Sequence, residues 1–389
     1  MLRVLTLASL FPDASRPNFG VFVERQTLGL AAREGVEVRV VAPVGLPPFP
    51  LDRSRRYAAL AALPKRETWR GLDVRRPRFR NLPGTQGRWH APLMARALAP
   101  LLAEMRRDFP FDVIDAEFFF PDGPAAIALG ARFGVPVSIK ARGADIHHWG
   151  GAPATARQVR AAGCAAGGML AVSEAMAADM AAIGLPAERI RVHRTGIDRS
   201  RFGTRSRADA KAALGIAGPL VVSLGALIPR KGHAVVIDAV AALPGVALWI
   251  AGDGPERGAL QRRIDAAGVS DRVRLLGSIA HADMPALLTA ADVMALASSS
   301  EGLANAWVEA LASGTPVVIP DAGGAREVVD RPAAGRIVAR DPAVFRAAIA
   351  ELLDDPPAPE AVRAAADPFS WERNAEALHA HLAALVAGH

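Results

Sequence analysis

The sequence predicts an α/β protein built twice over, and three observations predict it. Short apolar, β-branched runs alternate with alanine-rich helical stretches along the chain. Near-continuous apolar strands followed by helices indicate parallel sheets covered on both faces. The alternation pauses at 194–219, "RTGIDRSRFGTRSRADAKAALGIAGP", where turn residues and charge replace apolar periodicity. It then starts again with "LVVSLGAL". The expected organisation is therefore two Rossmann-like halves, 1–195 and 200–367. A tail over 368–389 opens a helix at Ser370-Trp371 that runs to about residue 386. Two doubly wound halves facing each other would line a cleft with the C-terminal ends of their strands.

The elements follow in order. In the first half "RVLTLASL" leads into a helix near 20–34 and then "EVRVVAP". "DVIDAE" leads into a helix near 123–133 and then "VPVSIKA". "GGMLAVS" leads into a helix near 174–183 and then "IRVHRTG". In the second half "LVVSLGAL", "VALWIAGDG", "VRLLGS", "VMALAS", "PVVIPD" and "GRIVA" are strands, each with a helical segment behind it.

Composition narrows the function classes. With 51% apolar and 22% charged residues in 389, the chain can bury full cores and is not disordered. The single cysteine, Cys164, excludes an intramolecular disulfide framework and a multi-cysteine zinc site, and is read as buried filler. No Asp-x-Asp occurs, and the nine histidines show no metal-ligand spacing, so no metal is expected. No run reaches the roughly 18 apolar residues that span a bilayer. The start "MLRVLTLASLFP" reads as a first buried strand rather than a secretory signal, so the expected location is cytoplasmic. The net charge of +7 is concentrated between 51 and 107, where fourteen Arg and Lys face four acids. Interleaved Leu60, Leu63, Trp69, Phe79, Leu82 and Trp89 favour an amphipathic surface peripheral to an anionic membrane, with a plain solvated basic face as the alternative.

The chemistry is carried by "SSSEGLANAWVEALASGTPVVIP". A strand ends near Ala297, a loop runs to Leu303, and a helix starts near Ala304 and stops at Gly314. Glu301 therefore sits beside a helix start and Glu309 in its second turn. Backbone N–H groups around Leu303, Ala304 and Asn305 would hold an anion. Carboxylates beside an anion site suit a ligand bearing both phosphates and hydroxyls. The alternative is that Glu301 caps the helix and Glu309 is an ordinary surface residue. "GALIPRKG" places Arg230 and Lys231 in the first strand-to-helix loop of the second half, where a cation suits a diphosphate. Gly20, in "PNFGVFVERQ", permits close approach of backbone to phosphate. "AGDGPERG" misses G-x-G-x-x-G because Arg257 takes the third glycine's place, which disfavours a dinucleotide-dependent dehydrogenase. Ser173 in "AVSEAM" lacks a hydrolase elbow and reads as a helix start.

At these residues the chain resembles the retaining GT-B glycosyltransferases of family 4. "EGLANAWVE" is similar to that family's E-x7-E signature, and "GALIPRKG", "AGDGPE", "AVSEAM", "RTGID", "GTPVVIPDAGGAREVV" and "FSWE" follow its order and spacing. "PNFGVFVERQ", "FFFPDG" and "RGADI" resemble the branch that builds capsule, exopolysaccharide and teichuronic-type polymers. The resemblance implies a GT-B fold whose tail helix crosses back to the N-terminal, acceptor-binding half. It implies that Lys231 and Arg230 bind the diphosphate of a UDP-, GDP- or ADP-sugar. Glu301 would contact the donor sugar, and backbone at Leu303, Ala304 and Asn305 the sugar and phosphate. Glu309 would contact the ribose. Gly20 would line the phosphates, and Gly252, Gly254 and Gly277 would lie near the nucleoside. Arg142 and Asp145 are carried over as acceptor-side candidates. The chain departs from the family at Ala226, where an arginine is common, and at Asp115-Ala116-Glu117, where His-x-His is common.

The expected function is transfer of a hexose, with retention, from a nucleotide-diphosphate sugar to a lipid-linked or other saccharide acceptor in cell-surface polysaccharide synthesis. No separate cofactor and no nucleic acid are expected. Two readings stand beside it: a basic polyanion-binding protein with a degenerate sugar site, and a two-Rossmann sugar-nucleotide epimerase.

Overall fold

Apolar strands whose side chains are covered on both faces organise both halves of the computed structural model. It describes residues 1–203 and 205–389 and all their side chains but that of Arg56. Thr204 in the expected boundary segment, and the Arg56 side chain in the basic patch, lie outside the described residues. The chain divides into two compact units, Met1–Gly196 with Trp371–His389, and Ile197–Ser370.

The first unit holds β1 (Leu2–Leu7), β2 (Val36–Val41), β3 (Val44–Leu46), β4 (Arg66–Trp69), β5 (Leu72–Arg75), β6 (Arg78–Arg80), β7 (Val113–Ala116), β8 (Val137–Ala141), β9 (Gly168–Ala171) and β10 (Ile190–Val192). Eight of them form a sheet in the order β10-β9-β8-β7-β1-β2-β5-β4. Only β4 runs antiparallel to its neighbour. β3 and β6 pair separately and in parallel. Buried Val4, Val113 and Leu170 of this sheet pack against Leu30 and against Leu378 and Leu382 of the tail helix Trp371–Ala387. The tail is thus part of the first unit's core, as the GT-B expectation required.

The second unit holds β11 (Leu220–Leu224), β12 (Ala247–Ala251), β13 (Val273–Gly277), β14 (Val293–Ala295), β15 (Val317–Ile319) and β16 (Gly335–Ile337). They form one all-parallel sheet in the order β13-β12-β11-β14-β15-β16. Its core joins Val221, Leu248, Ile250 and Val293 to Val236, Ile237, Phe345 and Ile349 of the covering helices. Strand order reverses between β11 and β14. Connections leaving these two strands go to opposite sides, so the loops at their C-terminal ends part and leave a crevice.

The basic segment 51–107 differs from its expectation. It contributes β4, β5, β6 and the helix His90–Met105 rather than one amphipathic surface. Leu63 and Phe79 are buried, and Trp69 packs on the core around Phe11, Val40 and Val74. Arg76 is almost fully buried between Glu67, at 2.5 Å, and the Pro12 carbonyl, at 2.6 Å. Part of the charge read as surface is therefore spent inside. Cys164 is a second correction, being exposed on the helix Ala156–Ala165 rather than buried.

Candidate functional site

The reversal in the second sheet selects the loops that carry the site. After β11 the chain makes a tight turn at Pro229–Lys231, closed by Gly232 at φ 68°. A Cβ on Gly232 would run into the Ala297 carbonyl, so this turn lies directly against the loop that follows β14. The Ser299 amide donates to the Arg230 carbonyl at 2.8 Å, and the Arg230 guanidinium donates to the Ser300 carbonyl. Across this seam Lys231 Nζ stands 2.5 Å from Glu301 Oε1, and Arg230 Nη1 stands 3.5 Å from Glu301 Oε2. Two cations thus hold one carboxylate that is only 8% exposed.

Glu301 does not cap the helix. The helix is Asn305–Ala312, one residue later than expected, and its N-cap, Ala304, makes no side-chain cap bond. The first-turn N–H groups therefore get no acceptor from a capping side chain, and they carry the positive end of the helix dipole. Glu309 is no surface residue either, being 5% exposed and 2.8 Å from His281 Nε2. Arg201 donates to the His281 carbonyl at 3.1 Å, and Phe202 meets the His281 ring edge-on. His281 and Arg201 were missed in the sequence because nothing local marks them; 28 residues separate His281 from Glu309. The loop around Glu301 rests on Gly323-Gly324. The Gly324 amide donates to the Gly302 carbonyl at 2.8 Å, and a Cβ on Gly323 would run into the Glu301 carbonyl.

Gly252 and Gly277 end β12 and β13 side by side, with the Gly252 amide donating to the Gly277 carbonyl at 2.9 Å. Gly252, at φ 153°, leaves no room for a Cβ against the Gly225 carbonyl, and Gly254 none against Leu227. Both glycines let neighbouring loops stack at the C-terminal edge of the sheet. His233 opens the helix His233–Ala241 and is buried, 3.0 Å from Ser223 Oγ. Burial pushes its pKa down to about 4, so it is neutral behind the cationic turn.

The second unit by itself therefore assembles Arg230, Lys231, Glu301, Leu303, Ala304, Asn305 and Glu309, with Gly252, Gly254 and Gly277 along the same sheet edge. Gly20, Arg142 and Asp145 belong to the first unit. Gly20 is the left-handed N-cap of the helix Val21–Ala31. Asp145 is fully buried and accepts from the amides of Arg142, Gly143 and Phe119 at 2.7–3.1 Å, so its carboxylate shapes the loop that carries Arg142. Arg142 is held by the Glu117 carboxylate and, at 2.8 Å, by the Glu117 carbonyl. Behind it lies a buried polar chain. Gln26 donates to Glu117, Lys140 Nζ lies 2.5 Å from Gln26 Oε1 and 2.6 Å from His193 Nδ1, and His193 Nε2 lies 2.8 Å from the Asn374 carbonyl. Burial, with Arg142 nearby, lowers Lys140 to about 7. Burial and the neighbouring Glu117 raise Asp115. Besides Arg142 and Asp115-Ala116-Glu117, the sequence signal for this cluster was a lysine inside the apolar strand "VPVSIKA". Among the described residues no group of three or more His, Cys, Asp or Glu can hold a metal ion.

Residues 20–201 match the model of Glycosyltransferase Family 4, and residues 206–367 that of Glycosyl transferases group 1. The chain is a two-domain GT-B glycosyltransferase of the family 4 and group 1 type. This glycosyltransferase is 28% identical over 335 residues to TuaC of Bacillus subtilis, a protein named for teichuronic acid biosynthesis, with 83% of this chain and 82% of that one covered. Over a shorter stretch of 124 residues it is 43% identical to the lipopolysaccharide core biosynthesis glycosyltransferase LpsE of Rhizobium meliloti, covering 32% of this chain and 35% of that one. Its fold is that of a sucrose-phosphate synthase from Thermosynechococcus elongatus, with TM-score 0.81, 19% identity and all of both chains covered. It is also that of Anabaena HepE solved with UDP-glucose, with TM-score 0.72, 22% identity, and 99% of this chain and 100% of that one covered.

Proposed function

We propose that this glycosyltransferase moves a hexose, with retention of anomeric configuration, from a nucleotide-diphosphate sugar to a saccharide acceptor in cell-surface polysaccharide synthesis. The observation that carries the reading is the contact of Lys231 and Arg230 with Glu301 at the strand-order reversal, beside the helix that bears Glu309. An ammonium has three donors, so Lys231 can keep Glu301 and still donate to a phosphate. Charge growing on the departing diphosphate meets Lys231, Arg230 and the helix start at Asn305. Glu301 accepts from donor sugar hydroxyls and Glu309 from the ribose. The HepE complexes with UDP, glucose and UDP-glucose, and the relatives named for surface polymers, support this class of donor and product. A polyanion binder has no need of a paired Lys231–Glu301 contact.

The test is a thermal-shift panel of UDP, GDP and ADP with their hexose conjugates. One base series is expected to raise the unfolding midpoint, because a ligand at 100 times its Kd stabilises by about 2.7 kcal/mol. No shift with any nucleotide would remove the donor reading. Turnover of the donor with no acceptor present would favour an epimerase.

The acceptor is proposed to be lipid-linked, with the first unit docked on an anionic membrane surface. β3 and β6 are parallel, so the loops leaving them emerge on one edge. These loops expose Phe49 (70%), Leu51 (54%) and Trp89 (49%) beside exposed Arg53, Arg55, Arg80 and Arg88. Apolar tips among cations suit shallow insertion between anionic headgroups. No helix among the described residues is long and apolar enough to cross a membrane. The double variant Phe49→Ser with Leu51→Ser is expected to lose sedimentation with vesicles containing anionic phospholipid. Undiminished binding would refute the docking edge.

A further inference from the structure

We infer that Arg340 is a positioning residue of the donor site, clamping the cationic turn to the loop that bears Glu301. Arg340 stands in the short connection between β16 and the helix Pro342–Asp354, far in sequence from every site residue. Its Nε donates to the Ala297 carbonyl at 2.7 Å, and its Nη2 donates to the Pro229 carbonyl at 2.9 Å. Ala297 is the last residue before the loop Ser298–Leu303 that bears Glu301. Pro229 opens the turn that bears Arg230 and Lys231. One guanidinium thus spans the two loops that the strand-order reversal would otherwise let part.

The planar fork suits this task. A guanidinium presents several N–H donors in fixed directions, so two carbonyls bound to one group are held at a set separation. Other ties also cross the seam, among them the Arg230 guanidinium on the Ser300 carbonyl. Ser299 and Arg230 bond backbone to backbone, and Lys231 and Arg230 reach Glu301 through flexible side chains. Those two cations are also the groups that would donate to a diphosphate. Their ammonium and guanidinium are then shared between Glu301 and the ligand, whereas the Arg340 bridge, like the Ser299–Arg230 backbone bond, lies outside the proposed phosphate contacts. Arg340 therefore acts through Lys231 and Glu301 rather than on the substrate. The inference rests on the proposed donor reading for its functional consequence, but not for the clamp itself.

The experiment compares wild type, Arg340→Ala and Arg340→Lys in two measurements. The first is amide hydrogen exchange without ligand. Arg340→Ala is expected to speed exchange at 230–232 and 297–300 while the strands keep their protection. The second is binding of UDP against uridine, or of the matching pair for the base that the panel selects. UDP is expected to bind about tenfold more weakly to Arg340→Ala and uridine equally well, and kcat/KM is expected to fall roughly 10–100-fold, as misplacement of a positioned group by about 1 Å does. Arg340→Lys, a single point charge, should restore part of the loss. Unchanged exchange in both segments overturns the clamp. Equal losses for UDP and uridine overturn the positioning role and leave a general structural one. If wild type binds no nucleoside diphosphate, the donor reading fails, and the exchange result alone decides the clamp.

Discussion

Lys231→Ala is expected to lower kcat/KM for the donor by about 10²–10³ without a comparable change in folding stability. The physical ground is where charge appears. As the bond to the sugar breaks, negative charge grows on the leaving diphosphate, and a prearranged cation in a partly dehydrated crevice stabilises it more than water does. Lys231 is so arranged, with its side chain 14% exposed and its ammonium already 2.5 Å from a carboxylate. Removing it also leaves Glu301 with Arg230 alone at 3.5 Å. A carboxylate short of its cation will draw Arg230 inward, away from phosphate, so the loss should exceed that of one hydrogen bond. Lys231→Arg keeps the charge with a different shape and should recover part of the rate. The measurement is single-turnover transfer with a saturating acceptor, beside a thermal midpoint that shows the variant folded. A rate within about threefold of wild type would mean that Lys231 is not the main charge sink.

The second large effect is on stability. Trp307→Ala is expected to destabilise the second unit by about 3–5 kcal/mol, the usual cost of emptying a buried aromatic site. Trp307 is the largest fully buried side chain among the described residues, and 307–312 are all buried. The helix has only eight residues and no side-chain cap, so packing and not intrinsic propensity holds it. Asn305 and Glu309 flank the tryptophan on the same short helix, so loosening it disturbs both the helix start and the carboxylate that are proposed to meet the donor. For a unit of this size the midpoint should fall on the order of 10 °C. Trp307→Phe should keep most of the packing and lose less. A shift of about 2 °C or less for the alanine variant would mean that the helix is held by something other than this side chain.

Much of this protein was legible in one dimension. Every strand named from its apolar run is present, because a strand buried on both faces must be written in nearly continuous apolar letters. The tail helix and the restart of the pattern were legible for the same reason: burial leaves a periodic trace. Gly20 was legible as a glycine where backbone could come close, and Gly252 and Gly277 only through the family resemblance; that all three take positive φ is visible in the structure alone. The glutamate pair stood out as charge in a small, apolar setting.

What stayed hidden is what depends on strand order. Sequence shows that β11 and β14 exist but not that they are neighbours with their connections turning apart, and it is that adjacency that sets Lys231 against Glu301, 70 residues on. His281 on Glu309, Arg340 across Pro229 and Ala297, and Lys140 between Gln26 and His193 leave no periodic trace, since each is one polar side chain meeting a distant partner. The basic segment misled for the same reason. An arginine bound for the interior, such as Arg76, is spelled like one bound for solvent, and only its partners Glu67 and Pro12 tell them apart. Composition and periodicity determined which surfaces are buried and hence the α/β class. The order in which the strands paired decided which polar residues meet, because charge and hydrogen bonding act over a few ångströms of space and not along the chain.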